Sequence, residues 1–358
     1  MWKHLWSFYP DWAKRGETEW AYSTRRHFCA RCGWGRFDLG IGGDQMVKTA
    51  FVFPGQGSQF VGMGKDFYDH VPAARELMVE ANEVLGYDLA NICFNGPEET
   101  LKLTENTQPA LLVHSIMALK ILRENGIDSV VAAGHSLGEF SALVAAGALK
   151  FKDAVRLVRL RGQFMQESVP AGEGTMAAII GLPIETLQEV CDQVSKESCV
   201  VQPANFNSPV QTVIAGHTVA VEKASAKALE AGAKKAILLP VSAPFHSVLM
   251  KPAEIKLQKE LEQTEFFDLS FPVITNIEAK PITKGSDARS ALVKQVCSPV
   301  CWSETMQVLT DQGVERVVEL GSGKVLSGLI KRFNRNINCY QVGDRESLSD
   351  TLTALNGN

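Results

Sequence analysis

Ser129-Val-Val-Ala-Ala133, Gly134-His135-Ser136-Leu137-Gly138 and Glu139–Leu149 follow one another without a break. The first stretch has the apolar, β-branched composition of a buried strand, and the last is a strongly apolar helical stretch. Between them lies a Gly-x-Ser-x-Gly motif. A sharp turn from strand to helix lifts the serine hydroxyl above the sheet edge, and glycines on either side relieve the crowding of such a turn. The helix N-terminus behind it offers free backbone N–H groups and a partial positive charge, both suited to a developing oxyanion. A plainer alternative is a serine N-cap between turn glycines. Strand, turn and helix agree with one another, which favours a nucleophile at Ser136.

Reading outward extends the pattern. Thr49–Phe53 is an apolar run stopped by Pro54-Gly55, as expected of a buried strand entering a loop. Val71–Leu85 and Pro109–Asn125 carry helical spacing, the second closed by Gly126. Strands alternating with helices predict an α/β fold with a mainly parallel, hydrolase-like sheet. From about 169 to 248 the order becomes strand 175–180, helix 184–194, strands 200–205 and 212–215, helix 219–231 and strand 236–239. This βαββαβ order is ferredoxin-like and predicts an inserted small subdomain over 169–248. Residues 46–168 and 249–355 would then form the large subdomain, with a strand at 271–276, a helix near 289–296 and a strand at 314–320.

Composition narrows the function. Among 358 residues, 36 Lys and Arg against 40 Asp and Glu give a net charge of −4, which argues against a nucleic-acid binder. No stretch approaches the ~18 apolar residues of a membrane span. Eight scattered cysteines lack the density of a disulfide scaffold and point to a reducing, cytoplasmic setting.

The first 45 residues stand apart. They hold five of the six tryptophans, show neither helical nor strand period, and mix their arginines with acids as targeting presequences do not. Cys29-Ala-Arg-Cys32 is half a zinc site without a second half. Gly42-Gly43-Asp44-Gln45-Met46 back-translates to a ribosome-binding sequence just ahead of a start codon, which predicts translation from Met46 and a working chain of 313 residues. Otherwise the segment is expected to be a disordered leader.

A nucleophilic serine needs a base, and in a fold of this order the histidine follows the serine. His246, in Ala243-Pro-Phe-His-Ser247, lies on a loop after the strand 236–239 and is the best candidate. His135 reads as a packed neighbour of the serine, and His217 as a helix cap. On a helix from Phe151 to Ser168, Arg161 shares a face with Ala154, Leu157, Val158, Phe164 and Met165, whereas Arg156 and Arg159 point to the wet side. An arginine on an apolar face requires an anionic partner, either an internal carboxylate or a ligand. Beside a nucleophile, its forked geometry suits a substrate carboxylate.

Two Gly-rich stretches are excluded as nucleotide sites. Gly55-Gln-Gly-Ser-Gln-Phe60 has Phe60 where a dinucleotide fingerprint needs its third glycine. Gly321-Ser-Gly-Lys324 is followed by Val325, where a phosphate loop needs Ser or Thr for Mg²⁺.

Phe53-Pro-Gly-Gln-Gly-Ser-Gln59, Thr107-Gln-Pro-Ala110, Gly134-His-Ser-Leu-Gly-Glu139, Arg161-Gly-x-x-Met-Gln166, Asn205-x-Asn-Ser-Pro209, Pro244-Phe-His-Ser247 and Gly321-x-Gly-x-Val-Leu326 occur in this order. Together they resemble the malonyl-CoA:acyl carrier protein transacylase family over nearly all of 46–355. The resemblance implies that Ser136 attacks the malonyl thioester and that His246 takes its proton. It makes the backbone N–H groups of Gln56 and Leu137 the oxyanion hole and gives Arg161 the malonyl carboxylate. It places a backbone carbonyl near Gln295 behind the histidine, and Gln108, His135, Asn205 and Phe245 around the substrate. It further implies ping-pong transfer from malonyl-CoA to the phosphopantetheine thiol of acyl carrier protein, as a monomer without bound cofactor or metal, supplying extender units for fatty acid synthesis. An acidic carrier calls for a basic surface, for which Lys234-Lys235 and Lys331-Arg332 with Arg335 are candidates. The competing enzyme class is a serine esterase or thioesterase, which would have no use for Arg161. A second alternative is a different acyl group such as methylmalonyl, whose branch Phe245 would crowd.

Overall fold

A computed structural model describes residues 47–241 and 243–356. The tryptophan-rich leader, Cys29-x-x-Cys32 and the Met46 start lie outside the described residues. The described residues from 48 to 356 group as one compact unit.

Ten strands occur among the described residues: β1 (Thr49–Phe53), β2 (Val131–Gly134), β3 (Gly174–Ile180), β4 (Val201–Ser208), β5 (Gln211–His217), β6 (Lys235–Leu238), β7 (Val273–Ile274), β8 (Pro281–Ile282), β9 (Arg316–Leu320) and β10 (Asn338–Val342). The first sheet has the order β10-β9-β1-β2-β7-β8. Its pairs are parallel except for the β7–β8 edge. β1 is buried at every position, as expected of a strand flanked by parallel neighbours and covered on both faces.

The second sheet, ordered β4-β5-β3-β6, is antiparallel throughout. Helices Ile184–Val194 and Thr218–Glu230 lay Leu187, Val190, Val221 and Ala224 into a core with Ala177 and Ile179 of β3. Strand order and connection are those of a βαββαβ unit. The α/β architecture read from the sequence is therefore present, with a mainly parallel sheet and a separate antiparallel one.

Several boundaries differ. Pro109 does not open its helix, which runs from Thr104 to Glu124 with the proline inside. Nearly every residue of that helix is buried, so packing overrides the preference of proline for a first turn. The strand expected at 271–276 shrinks to Val273–Ile274, and the helix from 139 ends at Ala145. Arg156 and Arg159 lie on the solvent side as expected, with side chains 40% and 21% exposed, and there they pair with Glu260 at 2.6 Å and Glu105 at 3.4 Å. His217 holds the N-cap position of helix Thr218–Glu230 as expected, but makes no capping bond with its side chain. Its ring Nδ1 accepts from the Val200 N–H at 3.0 Å.

Candidate active site

The register of the parallel sheet sets the site. Phe53 of β1 lies opposite Gly134 of β2, so the Gln56 loop and the Ser136 turn leave the same sheet edge side by side. The His135 N–H donates to the Phe53 carbonyl at 3.0 Å, locking the two together. A Cβ on Gly134 would fall on the Gly138 backbone, and one on Gly138 would meet the Phe53 carbonyl oxygen. Both glycines are therefore demanded by backbone approach.

Ser136 has φ 51°, the left-handed region, as a nucleophile-bearing elbow requires. The Asn276 side chain holds the turn from both ends: its Oδ1 accepts from the Ser136 N–H at 2.6 Å, and its Nδ2 donates to the Gly134 carbonyl at 2.6 Å. Leu137 stands at the start of helix Gly138–Ala145, with its N–H at the helix N-terminus. Gln56 is tied in place by Nε2, which donates to Thr104 Oγ1 at 3.1 Å.

His246 Nε2 lies 2.7 Å from Ser136 Oγ, and its Nδ1 lies 3.0 Å from the Gln295 carbonyl oxygen. Burial and the nearby Arg161 charge push its imidazole down to about 3. The ring is thus neutral at ordinary pH. Nδ1–H donates to Gln295, leaving the Nε2 lone pair to accept the serine proton. Among the described residues no carboxylate is hydrogen-bonded to the ring, and the Gln295 carbonyl orients it.

Arg161 is buried and aimed at the same point. Its Nη2 donates to Ser136 Oγ at 3.1 Å and to Gln295 Oε1 at 3.0 Å, and its Nη1 donates to Gln108 Oε1 at 2.7 Å. A close helix crossing makes this possible: a Cβ on Gly162 would lie 2.6 Å from Glu105 Cα, so only glycine lets helix Phe151–Glu167 reach Thr104–Glu124 and bring Arg161 to Gln108. Burial lowers the Arg161 pKa to about 10, which leaves it charged. An anion arriving beside the acylated serine would meet a preformed guanidinium fork.

Of the other expected pocket residues, His135 is half-buried with its Nε2 2.9 Å from Asn207 Oδ1 and its ring against Trp302. Phe245 is 7% exposed next to the base. Asn205 lies buried on β4, where its backbone bridges to Val300.

The acyl transferase domain family matches residues 50–341. The chain belongs to this acyltransferase family. A malonyl CoA-acyl carrier protein transacylase of Bacillus subtilis (strain 168) is 51% identical over 310 residues, covering 87% of this chain and 98% of the relative. The Escherichia coli (strain K12) protein of the same name is 47% identical over 308 residues, covering 86% and 99%. Among solved structures, an acyl carrier protein S-malonyltransferase from Vibrio cholerae aligns with TM-score 0.82 and 47% identity, covering 85% of this chain and 99% of that one. A malonyl-transacylase solved in complex with its type II PKS acyl-carrier protein aligns with TM-score 0.83 and 47% identity, covering 87% and 100%.

Three contributors to the site of this acyltransferase go beyond what its sequence announces. Glu139 is fully buried, and its Oε2 accepts from Gln295 Nε2 at 2.7 Å and from the Asn276 N–H at 3.1 Å. A lone acid in an apolar helix is a signal for it, and its place in Gly134–Glu139 quotes it without a role. The Gln295 side chain also donates to the Ser136 carbonyl at 3.0 Å, a function that no local pattern announces. Asn276 follows a strand of two residues and carries no sequence signal at all.

The Gly321–Lys324 stretch is not an anion site. Glu319 Oε1 and Oε2 accept from the Leu326 and Ser327 N–H groups at 3.1 and 2.7 Å, so a resident carboxylate fills the N-terminus of helix Val325–Phe333. Among the described residues, no helix is long and apolar enough to cross a membrane.

Proposed function

We propose that this acyltransferase moves malonyl from malonyl-CoA to the phosphopantetheine thiol of acyl carrier protein through a malonyl ester on Ser136. The observation that carries the reading is one buried cluster in which Ser136 Oγ is contacted by both a neutral His246 and a charged Arg161. His246 Nε2 takes the serine proton as Oγ attacks the thioester carbon. The oxyanion is received by the N–H groups of Gln56 and Leu137. On collapse, His246 returns the proton to the CoA thiolate, and CoA leaves. The carrier thiol then gives its proton to His246 and attacks the ester carbon, the acyl C–Oγ bond breaks, and His246 returns the proton to Ser136 Oγ.

Arg161 selects the acyl group. When Ser136 Oγ becomes an ester oxygen, the Nη2–H that it held is released and turns to the malonyl carboxylate. An esterase of neutral acids would bury this charge to no purpose. Gln108 holds the guanidinium, while His135 and Asn205 shape the pocket and Phe245 crowds a branched acyl group such as methylmalonyl.

The carrier, an acidic protein, is read to dock on exposed cations, of which Lys234-Lys235 and Lys331-Arg332 with Arg335 are candidates. We read residues 46–168 with 249–355 as the large subdomain and 169–248 as the small one. The enzyme is read as a cytoplasmic monomer of fatty acid synthesis that needs no bound cofactor or metal. Incubation with malonyl-CoA should add one malonyl mass to a peptide containing Ser136, and Ser136→Ala should abolish it; a label elsewhere sinks the reading.

A further inference from the structure

A buried arginine ordinarily pairs with a carboxylate, and here one stands nearby without closing the pair. Glu139, in the first turn of helix Gly138–Ala145, is fully buried. Between it and Arg161 lies the Gln295 carboxamide, which donates to Glu139 Oε2 at 2.7 Å and accepts from Arg161 Nη2 at 3.0 Å. Two charged atoms remain buried without a hydrogen bond, Glu139 Oε1 and Arg161 Nε. A cation and an anion, each with an unsatisfied atom, are thus held one amide apart.

We propose that Glu139 and the Gln295 side chain tune how strongly Arg161 holds the acyl carboxylate, Glu139 as the resident counter-charge and Gln295 as the spacer that keeps the ion pair open. Glu139 acts through Arg161 and touches no substrate. In the empty site its charge offsets a guanidinium that would otherwise be buried unpaired. Its negative charge also opposes the incoming carboxylate. Gln295 keeps that opposition partial, because a direct Glu139–Arg161 pair would consume the N–H groups that the substrate needs. A transferase gains from such restraint: holding the acyl-enzyme too firmly stabilises the intermediate without speeding its onward transfer.

The charge balance is set locally. Among the described residues, the charged group acting on Glu139 is Arg161 from helix Phe151–Glu167; His246, reached through Gln295, is pushed down by burial and so neutral. From the Gln295 side and the end of β7 it meets only amides. Burial raises Glu139 to about 7, so it is charged at pH 8 and protonated well below neutrality.

The inference rests on Arg161 binding the malonyl carboxylate, and the test separates the two. In a Ser136→Ala background, calorimetry measures malonyl-CoA and acetyl-CoA binding at pH 8 and pH 5.5. Adding Glu139→Gln should tighten malonyl-CoA about three- to tenfold at pH 8, the scale of removing one nearby charge, and leave acetyl-CoA unchanged. At pH 5.5 the gain should vanish, because the parent Glu139 is already neutral. Gln295→Ala, which keeps the carbonyl behind His246, should weaken malonyl-CoA, and Glu139→Gln added to it should restore binding. Unchanged or weaker malonyl-CoA binding in Glu139→Gln, an equal gain for both thioesters, or no loss in Gln295→Ala overturns the proposal. A malonyl preference that survives Arg161→Ala in the same assay overturns the carboxylate reading instead.

Discussion

Ser136 Oγ lies 2.7 Å from His246 Nε2, and that imidazole is held neutral down to about pH 3 by burial and by the Arg161 charge. A histidine at its ordinary value near 6.5 would lose its lone pair to a proton through mildly acid pH. Here the lone pair survives. The rate at which a neutral sulfonyl fluoride labels Ser136 should therefore stay flat as pH falls from 8 to 5. A neutral reagent is chosen because it makes no demand on Arg161. A half-maximal rate near pH 6.5 would contradict the buried, carbonyl-oriented base.

Arg161→Ala should lower kcat/KM for malonyl-CoA by about 10²-fold or more, the usual consequence of deleting one partner of a buried charge pair. Acetyl-CoA, which brings no carboxylate, should be handled no worse. Loading of the two thioesters, followed by intact mass, measures the ratio. Equal losses would mean that the arginine serves the fold and not the choice of substrate.

The elbow glycines make a different prediction. Gly134→Ala places a methyl on the Gly138 backbone, where no flexible side chain can yield. Such overpacking of backbone on backbone should cost about 3 kcal/mol or more and abolish labelling of Ser136. Gly147, with φ 76° and no atom within 4 Å of an added Cβ, is the control. Gly147→Ala should cost only the ~1–2 kcal/mol of a left-handed alanine and leave activity intact. Urea unfolding of both variants makes the comparison.

The elbow was legible because three local signals coincide there: an apolar run, a glycine-flanked serine and a helical stretch. Arg161 was legible because helical periodicity alone puts it on an apolar face. Such a position calls for either an internal carboxylate or a ligand, and the structure supplies an indirect carboxylate in Glu139. What escaped were contacts joining distant segments. Asn276 bonds to the elbow across 140 positions, and the Gln295 side chain bonds to Glu139 across 156. The early start of helix Thr104–Glu124 escaped for a related reason, since only its burial outweighs the local signal of Pro109.

Glu319 offers a prediction outside the site. Its buried carboxylate accepts the Leu326 and Ser327 N–H groups at the start of a helix, acting from the preceding strand β9. Glu319→Ala leaves both donors buried and unpaired, which should cost about 1–3 kcal/mol. Glu319→Gln retains one acceptor oxygen and should lose less. Thermal unfolding in that order checks the assignment, and equal effects would mean that charge, not acceptance, matters at this helix start.

Glu139 gives the pH dependence of stability a definite sign. Its folded pKa of about 7 lies above the ordinary value of 4.5, because burial opposes its charge more than Gln295, Asn276 and Arg161 favour it. The folded chain therefore binds this proton more tightly than the unfolded chain, and folding is favoured as pH falls through 7 towards 4.5. The histidines with depressed pKa work in the opposite direction over the same range, so absolute stability mixes the two. Comparing the parent with Glu139→Gln removes that mixture, since the histidines are common to both. The Tm of the parent relative to the variant should rise as pH is lowered from 8 to 5 and level off below about 4.5. A difference that is constant with pH would place Glu139 in one protonation state throughout, and a difference that falls would mean that its neighbours hold it ionised.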